Sequence, residues 1–241
     1  MTDSLMIKIT LFKALILCVL MTLSSHSHAK QWGLEVGTDI PYQYKVAVSH
    51  SWDRLEVHLH TGVLTKPYSQ VILNLIHALG TEQIYIDLLT PSFQLGWMNG
   101  FSMRYQFGKN RSWFVGPEIK LDHLIAQDTP RDLLEIVTGQ NLNSLRINPQ
   151  STQVSMGLNL LSVGVRVGKS FAIDKKRKHF IRLDVNAFKH LSSRSFLQIN
   201  NQEPKLMNQE LDQLLWEEVF QPYGYFGGVS VTYLFKIGSN K

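Results

Sequence analysis

Apolar and polar residues alternate with period two along most of the chain beyond Gln31, most clearly between Phe93 and Leu121. Phe93, Leu95, Trp97, Phe101, Met103, Tyr105 and Phe107 share one face, broken only by Asn99, while Gln94, Gly96, Met98, Gly100, Ser102, Arg104 and Gln106 share the other. After Gly108-Lys109-Asn110-Arg111-Ser112 the apolar face resumes with Trp113, Val115, Pro117, Ile119 and Leu121, opposite Phe114, Gly116, Glu118, Lys120 and Asp122. Successive side chains of a strand point to opposite faces, so the stretch predicts a hairpin. Pro117 withholds a ladder donor on a strand with neighbours on both sides, so a bulge or an unpaired position is expected there.

Six further runs read as strands. The first three are Gln31 to Thr38, Tyr44 to Trp52 and Leu55 to Leu64. The remaining three are about Val154 to Phe171, His179 to Phe196 and Tyr223 to Ile237. In the run from Val154 the apolar phase switches from Met156, Leu158 and Leu160 to Val163, Val165 and Val167, which predicts a β-bulge near Leu160-Leu161. Short connections (Asp53-Arg54, Gly108 to Ser112, Ala172 to Lys178) alternate with a five-residue one (Asp39 to Gln43) and three much longer ones (Thr65 to Ser92, His123 to Gln153, Leu197 to Pro222). An even strand count with short turns on one rim and long loops on the other is the pattern of an outer-membrane barrel.

The two faces agree with that pattern. The polar face carries Glu35, Lys45, Glu56, His58, His60, Arg104, Glu118, Lys120, Asp122, Arg182 and Asp184 beside many glycines. Eight strands enclose a lumen just wide enough for side chains to fill, where opposite charges pair and the aromatic face meets lipid. The expected fold is all-β: an eight-stranded antiparallel up-and-down transmembrane β-barrel with amphipathic helices in the long outer loops. A lumen so filled leaves little room for a solute, so a narrow pore is the third functional reading.

The first 29 residues read as a cleaved signal peptide, with Lys8 and Lys13, an apolar stretch from Ala14 to Leu23, and Ser27-His28-Ala29 at the cleavage point. The barrel domain is then 30–241. Cys18 falls inside the signal, so disulfides do not staple the mature chain. Removing Lys8, Lys13 and Asp3 from 24 basic and 19 acidic residues leaves 22 and 18, a net of +4. That balance suits outer-membrane lipids and lipopolysaccharide as partners and is no nucleic-acid footprint. No cofactor is expected.

Three segments of the long loops read as amphipathic helices: Pro67 to Leu79, the stretch opened by Thr129-Pro130 and stopped by Gly139, and Pro204 to Phe220. Their apolar residues, including Leu133, Ile136, Leu211, Leu214 and Trp216, need covering. They pack together as a lid, lie in the lipid interface or dock a protein partner. The basic turn from Lys175 to His179 falls on the short-turn rim.

Two constellations carry candidate chemistry. Glu56-x-His58-x-His60 puts three potential metal ligands on one strand face, with Glu118 or Asp122 able to approach from another strand; the other reading is a hydrogen-bonded lumen network. His190-x-Ser192 pairs a base with a nucleophile, although simple parity from Asn186 points both into the lumen unless a bulge near Phe188 reverses them.

The last strand, Gly228-Val229-Ser230-Val231-Thr232-Tyr233-Leu234-Phe235, resembles the aromatic-ended C-terminal signal of the small eight-stranded outer-membrane β-barrels of Gram-negative bacteria, the OmpA-type architecture. That resemblance implies outer-membrane location and recognition by the barrel-assembly machinery. His190 and Ser192 resemble the His-x-Ser motif of the lipid A 3-O-deacylase family, which would make His190 the base and Ser192 the nucleophile on an acyl ester. The leading functional reading is a structural or partner-binding barrel acting through its extracellular loops, with the acyl-ester hydrolase as the alternative.

Overall fold

The computed structural model describes residues 31–91, 93, 95–126, 154–199 and 205–237. The predicted signal segment 1–29 and the predicted loop helix with Leu133 and Ile136 lie outside the described residues.

Eight strands close into a barrel: β1 (Gln31–Ile40), β2 (Gln43–Trp52), β3 (Leu55–Leu64), β4 (Gly96–Phe107), β5 (Trp113–Ala126), β6 (Val154–Ala172), β7 (His179–Ile199) and β8 (Tyr225–Ile237). Each pairs antiparallel with its neighbours in sequence, and β1 closes on β8 with Val36 opposite Tyr233. Closure leaves no free ladder over the height shared by all eight strands, which is the one way a sheet can span hydrocarbon. A ten-residue strand such as β1 is about 30 Å long and, at the roughly 40° tilt usual for such barrels, covers about 23 Å of axis.

Outward positions are apolar around the whole circumference, with Leu34, Val46, Leu59, Phe101, Ile119, Val165, Leu183 and Val229 all exposed. Aromatic residues flank that belt: Trp32, Tyr105 and Trp113 towards the short turns, and Tyr44, Trp97 and Tyr225 towards the other rim. Above the belt on β5 to β7, His123, Asn159 and Arg194 form an outward polar row, with His123 Nδ1 2.5 Å from Asn159 Oδ1.

Three details depart from the sequence reading. The β1–β2 connection is the tight turn Pro41-Tyr42, because Asp39 and Gln43 belong to the strands and hydrogen-bond inside the barrel. The strand expected to begin at Phe93 begins at Gly96, and Phe93 is buried beneath the helices of the β3–β4 loop.

The third departure concerns the apolar phase in β6, which switches although the strand does not. Met156, Leu158, Leu160, Ser162 and Arg166 all face inward, and the lumen itself changes from apolar to charged along that row. A register shift does occur at that height, but the extra residue is Leu191 of β7, between Ser162↔His190 and Leu161↔Ser192. The unpaired position expected at Pro117 is seen: the β4–β5 pairing runs to Ser102↔Glu118 and resumes at Tyr105↔Val115, so the ladder is interrupted without a shift of register.

The short-turn rim relies on left-handed residues, among them Asp53 (φ 51) and Asn110 (φ 61), types that tolerate this conformation. In the β6–β7 turn Asp174 accepts the backbone N–H groups of His179 and Lys178 at 2.8 and 2.9 Å, which hold its carboxyl below the usual carboxylate range. The opposite rim carries helices α1 (Tyr68–Ala78) and α2 (Gln83–Leu89) between β3 and β4. Between β7 and β8, α3 (Lys205–Leu215) runs into a π-helical turn, Trp216–Phe220.

Candidate functional site

The lumen is filled in three tiers. Nearest the short turns, Arg182 reaches Glu35 at 2.5 Å and grips both oxygens of Glu56 at 2.8 and 2.7 Å. Arg104 adds a bond to Glu56 at 3.2 Å, and Gln106 donates to the same carboxylate at 2.9 Å. Both guanidinium groups lie over the face of Phe114, at 5.0 and 5.4 Å, a favourable contact for a cation held away from water.

The middle tier centres on Arg166, which is fully buried between three carboxylates. Its Nε and Nη2 reach Glu118 at 2.5 and 3.1 Å, its Nη1 and Nη2 reach Asp39 at 3.2 Å each, and Nη1 also bonds Asp184. Lys45 holds Asp39 at 2.6 Å and Ser230 at 2.9 Å. Lys120 sits 3.9 Å from Asp39 and over the ring of Phe188 at 3.8 Å. Among the buried residues, five cations (Lys45, Arg104, Lys120, Arg166, Arg182) face six carboxylates (Glu35, Asp39, Glu56, Glu118, Asp122, Asp184), so the interior is close to neutral if all are charged. Glycines make room for the larger groups: a Cβ on Gly100 would collide with the ring of His60.

The upper tier is apolar. Leu64, Met98, Leu124, Leu158 and Leu160 line the mouth and merge with Ile72, Ile76, Leu88 and Leu89 from α1 and α2 and with Leu211, Leu215 and Phe220 from α3 and its extension. The self-packed lid among the three arrangements open to the loops is thus the one seen for the buried faces of α1 and α3. The strand β7 continues above its pairing with β8, and α3 runs along the exposed edge. Asp212 accepts the N–H of Ser195 at 2.8 Å and Asn208 that of Leu197 at 2.7 Å. Of the proposed loop surface, Leu211 is fully buried, and Leu214 and Trp216 are half-buried.

The two candidate constellations come apart. Glu56 turns to the arginines, His58 Nε2 lies 3.3 Å from Glu35 and His60 Nε2 3.7 Å from Glu118. Among the described residues no three His, Cys, Asp or Glu side chains gather as a metal site. His190 faces inward, whereas the extra residue Leu191 turns Ser192 to the outer surface. Ser192 lines a shallow groove of about 400 Å³ with Leu191, Asp212 and Trp216, and among the described residues no histidine lines it. The serine that His190 does meet is Ser162, whose Oγ is 2.7 Å from Nδ1, with Phe220 and Phe226 edge-on to the ring.

Asp39 and Arg166 complete the network and were missed by sequence reasoning. The signal for Arg166 was available: its parity with Ser162 and Gly164 places it inward of Val165 and Val167.

On the short-turn side the lumen opens into a vestibule of about 360 Å³ whose lining includes Arg111, Arg177, Arg182, Lys236 and Gln106. Arg182 and Gln106 belong also to the lowest ion-pair tier.

No family model and no curated protein matches the sequence. Among solved structures the chain is similar to a major outer membrane protein from Thermus thermophilus, with a TM-score of 0.46 and 11% identity over 87% of this chain and 100% of that one. It is also similar to Acinetobacter baumannii CarO, with a TM-score of 0.36 and 11% identity over 85% and 96%. A third, Neisserial surface protein A, has a TM-score of 0.30 and 7% identity over 87% and 94%. These neighbours are small eight-stranded outer-membrane β-barrels, and this chain is itself a closed antiparallel barrel of eight strands.

Proposed function

We propose that the protein is an integral outer-membrane barrel with a sealed lumen, which serves a structural or partner-binding role through the helical cap on its long-loop rim. The observation that carries this reading is the inversion of the usual order. The apolar side chains ring the outside, and the charged ones are buried inside and neutralise one another. Such a belt is the surface that hydrocarbon requires and water penalises.

The ion-pair tiers and the apolar mouth argue against solute passage. The hydrolase reading loses its geometric basis, because His190 and Ser192 lie on opposite faces of β7. The predicted signal segment and the aromatic-ended β8 support export to the outer membrane and delivery by the barrel-assembly machinery. Lipopolysaccharide and phospholipid are the partners of the belt itself.

Heat-modifiable gel mobility of the protein extracted from outer membranes tests the reading. The unheated sample is expected to run ahead of the boiled one. Identical mobilities, or recovery in the soluble periplasmic fraction, would overturn it. Release of fatty acid from lipopolysaccharide that Ser192→Ala abolishes would replace the structural role with the enzymatic one.

A further inference from the structure

Helix α1 buries only part of its apolar surface. Ser69, Ile72, Leu73 and Ile76 point into the cap, whereas Val71 and Leu75, with Leu79 just past the last turn, remain 46%, 40% and 49% exposed. At 100° per residue, these three and Tyr68 occupy an arc of about 80° directly beside the buried face. Gln70, Asn74 and His77 hold the remaining side, and the helix contains no Asp, Glu, Lys or Arg.

Tyr68 reports where that stripe points. Its ring packs against Tyr44 at a centroid distance of 5.0 Å, and its hydroxyl lies 2.7 Å from Thr38 Oγ1. Thr38 gives its own proton to the carbonyl of Gln43, so Tyr68 is the donor. Thr38 and Tyr44 are outward positions on the wall of β1 and β2, in line with Val36 and Val46 of the apolar belt. The stripe is therefore fastened at one end to the outside of the barrel, not to its mouth. Only the two-residue turn Pro41-Tyr42 joins the strands there, so the β1–β2 connection itself places no long loop between helix and wall.

We infer that α1 is an interfacial helix. One face closes the lumen, and the adjacent face, Val71, Leu75 and Leu79, is immersed in the headgroup and acyl-chain boundary of the leaflet on the long-loop side. The occupant of the stripe is lipid, because it continues the belt through Tyr68 and Tyr44, carries no charge, and starts at a tyrosine pair of the kind that sits at membrane boundaries. The inference rests on the barrel being membrane-embedded, and its test separates the two.

Full-length protein with Cys18→Ser and a single introduced cysteine labelled with an environment-sensitive fluorophore is reconstituted in phosphatidylcholine vesicles. Labels are placed at Val71 or Leu75, at Gln70 or Asn74 on the polar side, and at Val185 in the belt. Nitroxide carried on the lipid acyl chains is expected to quench most of the emission from Val71, Leu75 and Val185, and iodide in the water to quench Gln70 and Asn74. Tyr68→Ala is expected to lower lipid quenching at Leu75 and leave Val185 unchanged. Iodide quenching at Val71 and Leu75 with lipid quenching at Val185 would overturn the inference alone. Protection of both stripe positions from both quenchers would assign the stripe to a protein or a second copy and overturn it too. Loss of lipid quenching at Val185 would overturn the membrane reading on which it stands.

Discussion

Arg166 has the largest single responsibility in the interior. Three carboxylates from three other strands, Asp39, Glu118 and Asp184, converge on its five donors, a geometry that the planar guanidinium suits and a lysine cannot reproduce. Removing one member of a buried ionic cluster leaves the others uncompensated, typically at about 3–5 kcal/mol. Arg166→Met is expected to lower the unfolding free energy of the vesicle-inserted barrel, read from its denaturant midpoint, by an amount of that order, and Arg166→Lys by less. An unchanged midpoint for Arg166→Met would mean that water already solvates the cluster. Period two made most of this interior legible in the sequence, since Glu35, Lys45, Arg104, Glu118, Lys120, Arg182 and Asp184 all stand on the polar face. Asp39 escaped because a proline two residues on reads as a loop. His190 and Ser192 read as neighbours because one inserted residue, Leu191, is invisible to alternation.

The strands were the most legible elements, and β3 matches its expected bounds at both ends. Apolar alternation failed where the core changes sides. In the lower barrel an apolar residue faces lipid, and in the upper barrel it faces the cap, so Met156, Leu158 and Leu160 point inward like Arg166 despite opposite chemistry. A phase switch in hydrophobicity thus marks the boundary between ionic lumen and apolar plug, and it mimics a bulge. The helix predicted over Pro204 to Phe220 is seen from Lys205, but its polar residues have a use that amphipathicity could not announce. Asn208 and Asp212, one turn apart, take the N–H groups of Leu197 and Ser195 on the part of β7 that β8 does not reach. Each such bond is worth about 1 kcal/mol. The double change Asn208→Ala, Asp212→Ala is expected to speed amide hydrogen exchange at Ser195 and Leu197 at least several-fold while leaving Val185, inside the closed ladder, as slow as before. Equal acceleration at Val185 would show that α3 holds the whole barrel and not its edge.

At the scale of the whole molecule, lipid surrounds the barrel and nothing passes through it on the proposed reading. Both statements depend on one property: odd and even positions of the same strand live in different solvents, hydrocarbon outside and a dry ionic interior within. Spin labels placed one at a time at Leu183, Asp184, Val185 and Asn186 of β7, in protein reconstituted in bilayers, read both solvents. Dissolved oxygen reports exposure to hydrocarbon, and a neutral nickel chelate reports exposure to water. The predicted result is high oxygen and low nickel accessibility at Leu183 and Val185, with low accessibility to both at Asp184 and Asn186. Nickel access at Asp184 and Asn186 would contradict the sealed lumen, and nickel access at Leu183 and Val185 would contradict the membrane-embedded barrel itself.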